Sequence, residues 1–264
     1  MKTNAVSFPG VSGQIALITA STSGIGLATA RNLAESGAAT VFINGRNDET
    51  GMNVASQLGE HYPHTRFYFI QADLTVRPEV ERMMNTISEK CRYLDSLVHC
   101  GGAQTRPNLF EDLSIDEYLP TLEGHLVGAM YACRFGLPLL KASGGGSIVV
   151  VASDAGKLAT PGESVIGASK AAAIMFTRSI AMELSRYKIR ANAVTPSILL
   201  NTKSRERVLT DGLSQKVFEK AERRARLGVA SAEDVAALIV FLISSLAEKI
   251  TGQAISVNGG ISAA

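Results

Sequence analysis

Tryptophan is absent from this sequence, cysteine occurs three times and histidine four times. Cys91, Cys100 and Cys133 are odd in number and far apart, which excludes a disulfide framework and zinc-type ligand spacing. They read as reduced thiols in a cytoplasmic protein, with no metal site. No apolar run approaches the roughly 20 residues a membrane span needs, so no membrane segment is expected. The opening MKTNAVSFPGVSGQ has one lysine and no apolar core, so no signal peptide is expected. Excess charge of one sign is also missing. The net charge is +2, with Lys and Arg scattered along the chain, which leaves no basic surface for a nucleic acid. Internal repeats and low-complexity tracts are absent.

What is there is apolar material in short, regular pieces. Hydrophobic residues make up 46% of 264 positions, which suits one α/β domain with a sheet covered on both faces. Buried strands are expected at Ile15–Thr19, Ala39–Asn44, Arg66–Gln71, Ser96–His99, Ser147–Ala152, Ile189–Val194 and Gln253–Val257. Helices are expected at Ile25–Ser36, Glu49–Leu58, Pro78–Cys91, Ser114–Lys141 (with Pro120 near a break or first turn), Ser164–Tyr187, Ser214–Arg226 and Ala232–Ser244. This alternation predicts a single Rossmann-like, doubly wound domain over residues 1–264, with a seven-stranded parallel sheet and helices on both faces. Residues 1–13 read as a lead-in, and 196–213 as a mobile loop over a substrate pocket. Ligands belong at the carboxyl ends of the strands.

The first strand runs into Ser21-Thr22-Ser23-Gly24-Ile25-Gly26 and then a helix. Such a turn offers backbone N–H groups and a helix dipole to a pyrophosphate, although a plain tight turn has the same composition. Arg46, just past the second strand, suits a ribose 2′-phosphate; the other reading is a solvated surface arginine. Asp73, past the third strand, reads either as an acceptor for an adenine amino group or as a cap of the helix beginning near Val76.

Taken together, these motifs resemble the short-chain dehydrogenase/reductase family over residues 12–262. Thr19–Gly26 (TASTSGIG) looks like its glycine motif, with Ala20 in place of the first glycine. Asn44-Gly45-Arg46 resembles the NADP-preferring version, and Asp73-Leu74 the adenine-contacting pair. Ile189–Val194 leads into Pro196-Ser197, where Pro-Gly is usual, and Ile250–Gln253 and Val257–Gly260 look like the closing strand. The resemblance implies NADP(H) as cofactor in preference to NAD. It would be held by Thr19, Ser21, Ser23, Gly24, Ile25, Gly26, Arg46, Asp73, Leu74, Gly101, Lys170 and Thr202.

The catalytic positions depart from the family pattern. Ser153 matches the serine that orients the substrate oxygen, and Lys170 matches the lysine that holds the nicotinamide ribose. Four residues before Lys170, where the proton-donating tyrosine belongs, stands Ile166. His125 takes the asparagine position, and His99-Cys100-Gly101-Gly102 replaces the strand-four motif. Glu163, seven residues before Lys170, stands where related enoyl reductases keep a tyrosine, and does not restore the phenol.

General acid–base catalysis contributes typically about 10²–10⁴-fold, and an aliphatic side chain supplies none of it. His125 with Ser153 is the candidate replacement for proton delivery; the other reading of His125 is a structural hydrogen bond within a helix. Tyr118 and Tyr131 read as packing residues, and Asp154 and Ser164 as loop or cap residues. Three functional readings follow. The first is an NADP(H)-dependent carbonyl/alcohol oxidoreductase with atypical proton delivery, acting on a small molecule as a homo-oligomer. The second is a silent subunit in a hetero-oligomer with an active relative. The third is a non-redox enzyme reusing the pocket. The first is the reading adopted.

Overall fold

The computed structural model describes residues 8–103, 105–200 and 212–264. Seven strands form one sheet: β1 (Ile15–Thr19), β2 (Thr40–Gly45), β3 (Arg66–Gln71), β4 (Ser96–His99), β5 (Gly146–Val151), β6 (Ile189–Pro196) and β7 (Ala254–Val257). Their order is β3-β2-β1-β4-β5-β6-β7, and every neighbouring pair is parallel. The seven-stranded parallel architecture expected from the alternation is the one observed. Strand order reverses between β1 and β4, which opens a crevice at their carboxyl ends. Register puts Thr19 beside His99 there.

The helices are α1 (Gly24–Glu35), α2 (Asp48–His61), α3 (Arg77–Lys90), α4 (Tyr118–Leu122), α5 (Gly128–Ala142), α6 (Ser164–Leu184), α7 (Gly212–Arg224) and α8 (Ala232–Ile243). One face of the sheet carries Leu17, Phe42, Leu97 and Ile148 against Met83 and Ile87 of α3 and Ala132 and Leu140 of α5. The other face carries Ile18, Ile43, Val98 and Val149 against Leu33 of α1 and Val235, Ile239 and Val240 of α8. Local chemistry sets the helix starts. The Asn47 side chain accepts from Thr50 N–H at α2, and Ser231 with Asp234 forms a capping box at α8.

Three stretches differ from expectation. The expected long helix at Ser114–Lys141 is a relay of a 3₁₀ turn (Ile115–Glu117), α4, a π turn (Glu123–Val127) and α5. Pro120 lies in the first turn of α4, where its missing N–H has no partner to lose. β6 runs past Val194, because Thr195 and Pro196 pair with Ser256 and Val257 of β7. The loop expected to be mobile from Pro196 starts pinned: Ile198 and Leu199 are buried, and Leu200 N–H donates to Ala230 C=O. Residues 201–211 of that loop lie outside the described residues. By length and composition alone, Ser164–Tyr187 is apolar enough to cross a membrane. In this fold its buried residues, among them Ala173, Ile174 and Ala181, pack into the layers beside the sheet.

Candidate active site

The turn after β1 is latched to β2 before any ligand arrives. Ser21 Oγ donates to Ile18 C=O (2.7 Å) and accepts from Asn44 N–H (2.9 Å), while Asn44 Oδ1 accepts from Ala20 N–H (3.1 Å). A Cβ on Gly26 would come 2.7 Å from Ala20 C=O, so only glycine lets α1 start this close to β1. Ala20 is held at φ 48, in the left-handed region, at the position where the family's first glycine is usual. The first turn of α1 contains no carboxylate, and its N-cap Ser23 makes no side-chain cap bond. Its N–H groups and helix dipole are therefore presented to an anion.

Two expected cofactor ligands are used up by the fold instead. Ser21 and Thr19 are fully buried. The Thr19 hydroxyl sits between His99 Nδ1 (3.1 Å) and Cys100 N–H (3.2 Å). Both position the turn and the end of β4; neither side chain is open to a ligand. Ile25 likewise turns its side chain into the α1–α8 contact with Ala232 and Ala236. Arg46 is 63% exposed at the crevice edge, and its ion pair with Asp73 is long at 3.9 Å. An exposed pair of that kind contributes little, so the guanidinium is free to take a phosphate. Asp73 does not cap α3: its Oδ1 accepts from Thr75 N–H and Thr75 Oγ1. Leu74 is buried against Gly101 and Gly128. Thr202 lies outside the described residues.

The second half of the site is built by α6 and the turn after β5. Ser153 caps a 3₁₀ turn (Asp154–Gly156), and its Oγ accepts from Ala155 N–H (3.2 Å), leaving its proton to donate. A Cβ on Gly156 would come 2.7 Å from the backbone of Lys170, and one on Gly167 would come 2.8 Å from Ala155 C=O. These glycines press the Ser153 turn onto α6 at the level of Lys170. Asp154, expected as a loop or cap residue, anchors the turn from behind. Its carboxylate accepts from Ser256 Oγ (2.8 Å), Ser262 Oγ (2.9 Å) and Asn258 Nδ2.

Lys170 is buried, donates to Val151 C=O (3.3 Å) and has no carboxylate partner among the described residues. Burial lowers its pKa to about 8. His125, in the π turn, is buried beside it: a Cβ on Gly102 would lie 3.4 Å from His125 Nε2 and 4.0 Å from Lys170 Nζ. His125 Nδ1 meets Ser169 Oγ at 3.0 Å, and the same hydroxyl donates to Ile166 C=O at 2.7 Å. One hydroxyl proton cannot serve both contacts. This assigns the imidazole as donor at Nδ1 and acceptor at Nε2. Burial and the nearby Lys170 charge push the His125 pKa down to about 2, so the ring is neutral. His99 is fully buried, also neutral with a pKa pushed down to about 3, and its Nε2 has no hydrogen-bond partner. Burial raises the Cys100 thiol to about 12.

In this set of neighbours, Lys170 alone holds a proton it can release near neutral pH. The expected donation from His125 is revised on this ground. The site also contains two residues that sequence reasoning left without a role. Ser169 sets the His125 tautomer, and Asn44 latches the first turn. Ser169 was visible only as a small residue beside Lys170. Ile166 is half-buried, and Tyr131 packs on Phe135 (6.4 Å between rings) in the core. Away from the crevice, a 310 Å³ cavity at the opposite end of the sheet is bordered by Arg190. That guanidinium donates to Leu242 C=O (2.6 Å) and Ser244 C=O (3.3 Å), so it caps α8.

Comparison with known proteins shows the family and the fold. The family model described as Enoyl-(Acyl carrier protein) reductase matches residues 19–262. The 3-oxoacyl-(acyl-carrier-protein) reductase FabG of Aquifex aeolicus is 32% identical over 250 residues, covering 94% of this chain and 97% of the relative. A short-chain type dehydrogenase/reductase from Mycobacterium ulcerans superposes with a TM-score of 0.87 at 25% identity, covering 97% of this chain and 91% of that one. L-sorbose reductase from Gluconobacter frateurii, solved with NADPH and L-sorbose, superposes with a TM-score of 0.86 at 27% identity, covering 97% and 98%.

Proposed function

Because this chain belongs to the short-chain dehydrogenase/reductase family, we propose that it is an NADP(H)-dependent oxidoreductase interconverting a carbonyl and an alcohol, with Lys170 carrying the proton in place of the missing tyrosine. The observation that carries the reading is a buried Lys170 ammonium without a counter-ion among the described residues, facing the same spot as the acceptor nitrogen of His125. The residues present fit the cofactor. The first turn of α1 is free of carboxylates, and Arg46 supports a preference for the 2′-phosphate over NAD. Arg46, Ser23, Gly24, Gly26 and Lys170 would hold it.

When bound, NADPH would supply the hydride to the carbonyl carbon. As the carbonyl pair moves onto oxygen, the Lys170 ammonium gives that oxygen its proton, and the neutral amine recovers one from solvent. Ser153 donates to the same oxygen and fixes its position. His125, its Nδ1 engaged with Ser169 Oγ, turns Nε2 toward the same spot as the Lys170 ammonium and helps position it. Reduction needs the ammonium, whose pKa is about 8. The rate is therefore full below that pH and falls as pH rises through it; alcohol oxidation, which needs the neutral amine, rises over the same range. The test is NADPH oxidation with a panel of aldehydes and ketones across that range. A falling limb near pH 8 supports the reading. Failure of the whole panel to oxidise NADPH contradicts it.

A second reading, a non-catalytic subunit paired with an active relative in a cytoplasmic oligomer, is favoured by one observation. Ile115, Leu119, Met175 and Met182 stand exposed at the start of the α4–α5 relay and along α6. Co-purification of a second family member at equal stoichiometry would support it, and a pure homo-oligomer would not.

A further inference from the structure

Glu163 is at the N-cap of α6, yet its side chain makes no cap bond, and its carboxylate has no hydrogen bond or ion pair among the described residues. Glutamate is not a favoured N-cap, so helix formation gives no reason for it. It is half-buried, and a carboxyl withdrawn from water without a partner is unfavourable. Its position suggests what offsets that cost. Glu163, Ile166 and Lys170 fall at i, i+3 and i+7 on one face of α6, a stripe about 10 Å long. The chain after β4 meets it at two described points: Gly102, beside His125 and Lys170, and Asn108, whose N–H donates to Gly162 C=O (2.8 Å) next to Glu163. Lys170 and Glu163 thus stand at the two ends of this face, each beside the chain that follows β4. Leu109 and Phe110 are exposed on the chain after β4, and Leu158 on the turn after β5.

We propose that Glu163 is the anionic end of the substrate crevice, holding an ammonium group that an aliphatic span separates from the carbonyl reacting at Lys170. The assignment of the reacting end rests on the oxidoreductase reading above. Burial pushes the Glu163 carboxyl up to about 7. It is the sole cause: none of Lys170 on α6, Arg106, Glu111 and Asp112 on the segment after β4, or Asp154 and Lys157 on the turn after β5 contributes. A bound cation favours the ionised carboxylate, so it binds well above that pH and loses its hold as pH falls through it.

The test uses a methyl ketone joined by a short alkyl chain to a trimethylammonium group, and its uncharged twin with tert-butyl in that place. Both are titrated calorimetrically into the full-length protein with NADPH present, and NADPH absorbance is followed in parallel. Above about pH 7, the wild-type protein is expected to bind the cationic ketone at least about tenfold more tightly than the twin. Glu163→Gln removes that margin and leaves the affinity for the twin unchanged. Equal affinities in the wild type, no binding of either ketone, or a margin that survives Glu163→Gln would overturn the assignment. A protein that binds with this preference but leaves NADPH unoxidised keeps Glu163 in this role and refutes the redox reading alone.

Discussion

Lys170→Met is expected to lower turnover by about 10²–10⁴-fold, the usual contribution of a positioned general acid. The same change is expected to raise the melting temperature. Methionine keeps the length of the side chain, and it removes a buried cation that no carboxylate compensates. The sign with pH follows from the lowered pKa. The folded state disfavours the charge until Lys170 loses it near pH 8, whereas the unfolded chain keeps it to about 10.5. The stability gained by Lys170→Met is therefore full below about pH 8 and fades as pH rises beyond that value. Thermal melts of both proteins at several pH values, beside their rates of NADPH oxidation, check the two halves together. A structural lysine would give the opposite pattern, with stability and activity falling in step.

Ile166→Tyr is the converse experiment, expected to raise turnover by about 10²–10⁴-fold. It places a phenol one helical turn before Lys170, on the face that looks into the crevice. The Lys170 ammonium stabilises a phenolate, so the new hydroxyl becomes the more acidic donor and the lysine returns to a supporting role. The pH–rate profile is expected to change with the rate, because its limb then reports the phenol–ammonium pair rather than Lys170 alone. A variant that folds and binds NADPH but gains nothing would mean that the crevice cannot present a carbonyl to position 166. The silent-subunit reading would then be favoured.

The fold was legible because its signals are local. Short apolar runs such as IALIT and SIVVV between glycine-bounded helices leave few arrangements besides a parallel sheet. The glycine turn was legible for the same reason, since Gly26 is dictated by how closely α1 must approach β1. Lys170 was legible only through the resemblance to the family's catalytic pattern. Other features depend on neighbours far apart in sequence. The His125 tautomer is set by Ser169, 44 residues away, and by where that hydroxyl sends its proton. The shift at Glu163 comes from burial, which its local sequence does not reveal. Asp154 reads locally as a loop acid, but its partners are Ser256, Asn258 and Ser262, more than 100 residues downstream. The π turn at His125 has no local signal, because only packing against α6 selects it over a continuous helix.

The account stands on a working cofactor site, and titration with NADPH and NADH, followed by nicotinamide fluorescence, tests this most directly. The chain has no tryptophan, so protein emission interferes little. NADPH is expected to bind more tightly than NADH, by about tenfold or more for a charge-assisted phosphate contact. Arg46→Ala is expected to erase the difference by weakening NADPH and leaving NADH unchanged. Binding of neither dinucleotide would contradict the account at its base. Equal binding of both would remove Arg46 from the site.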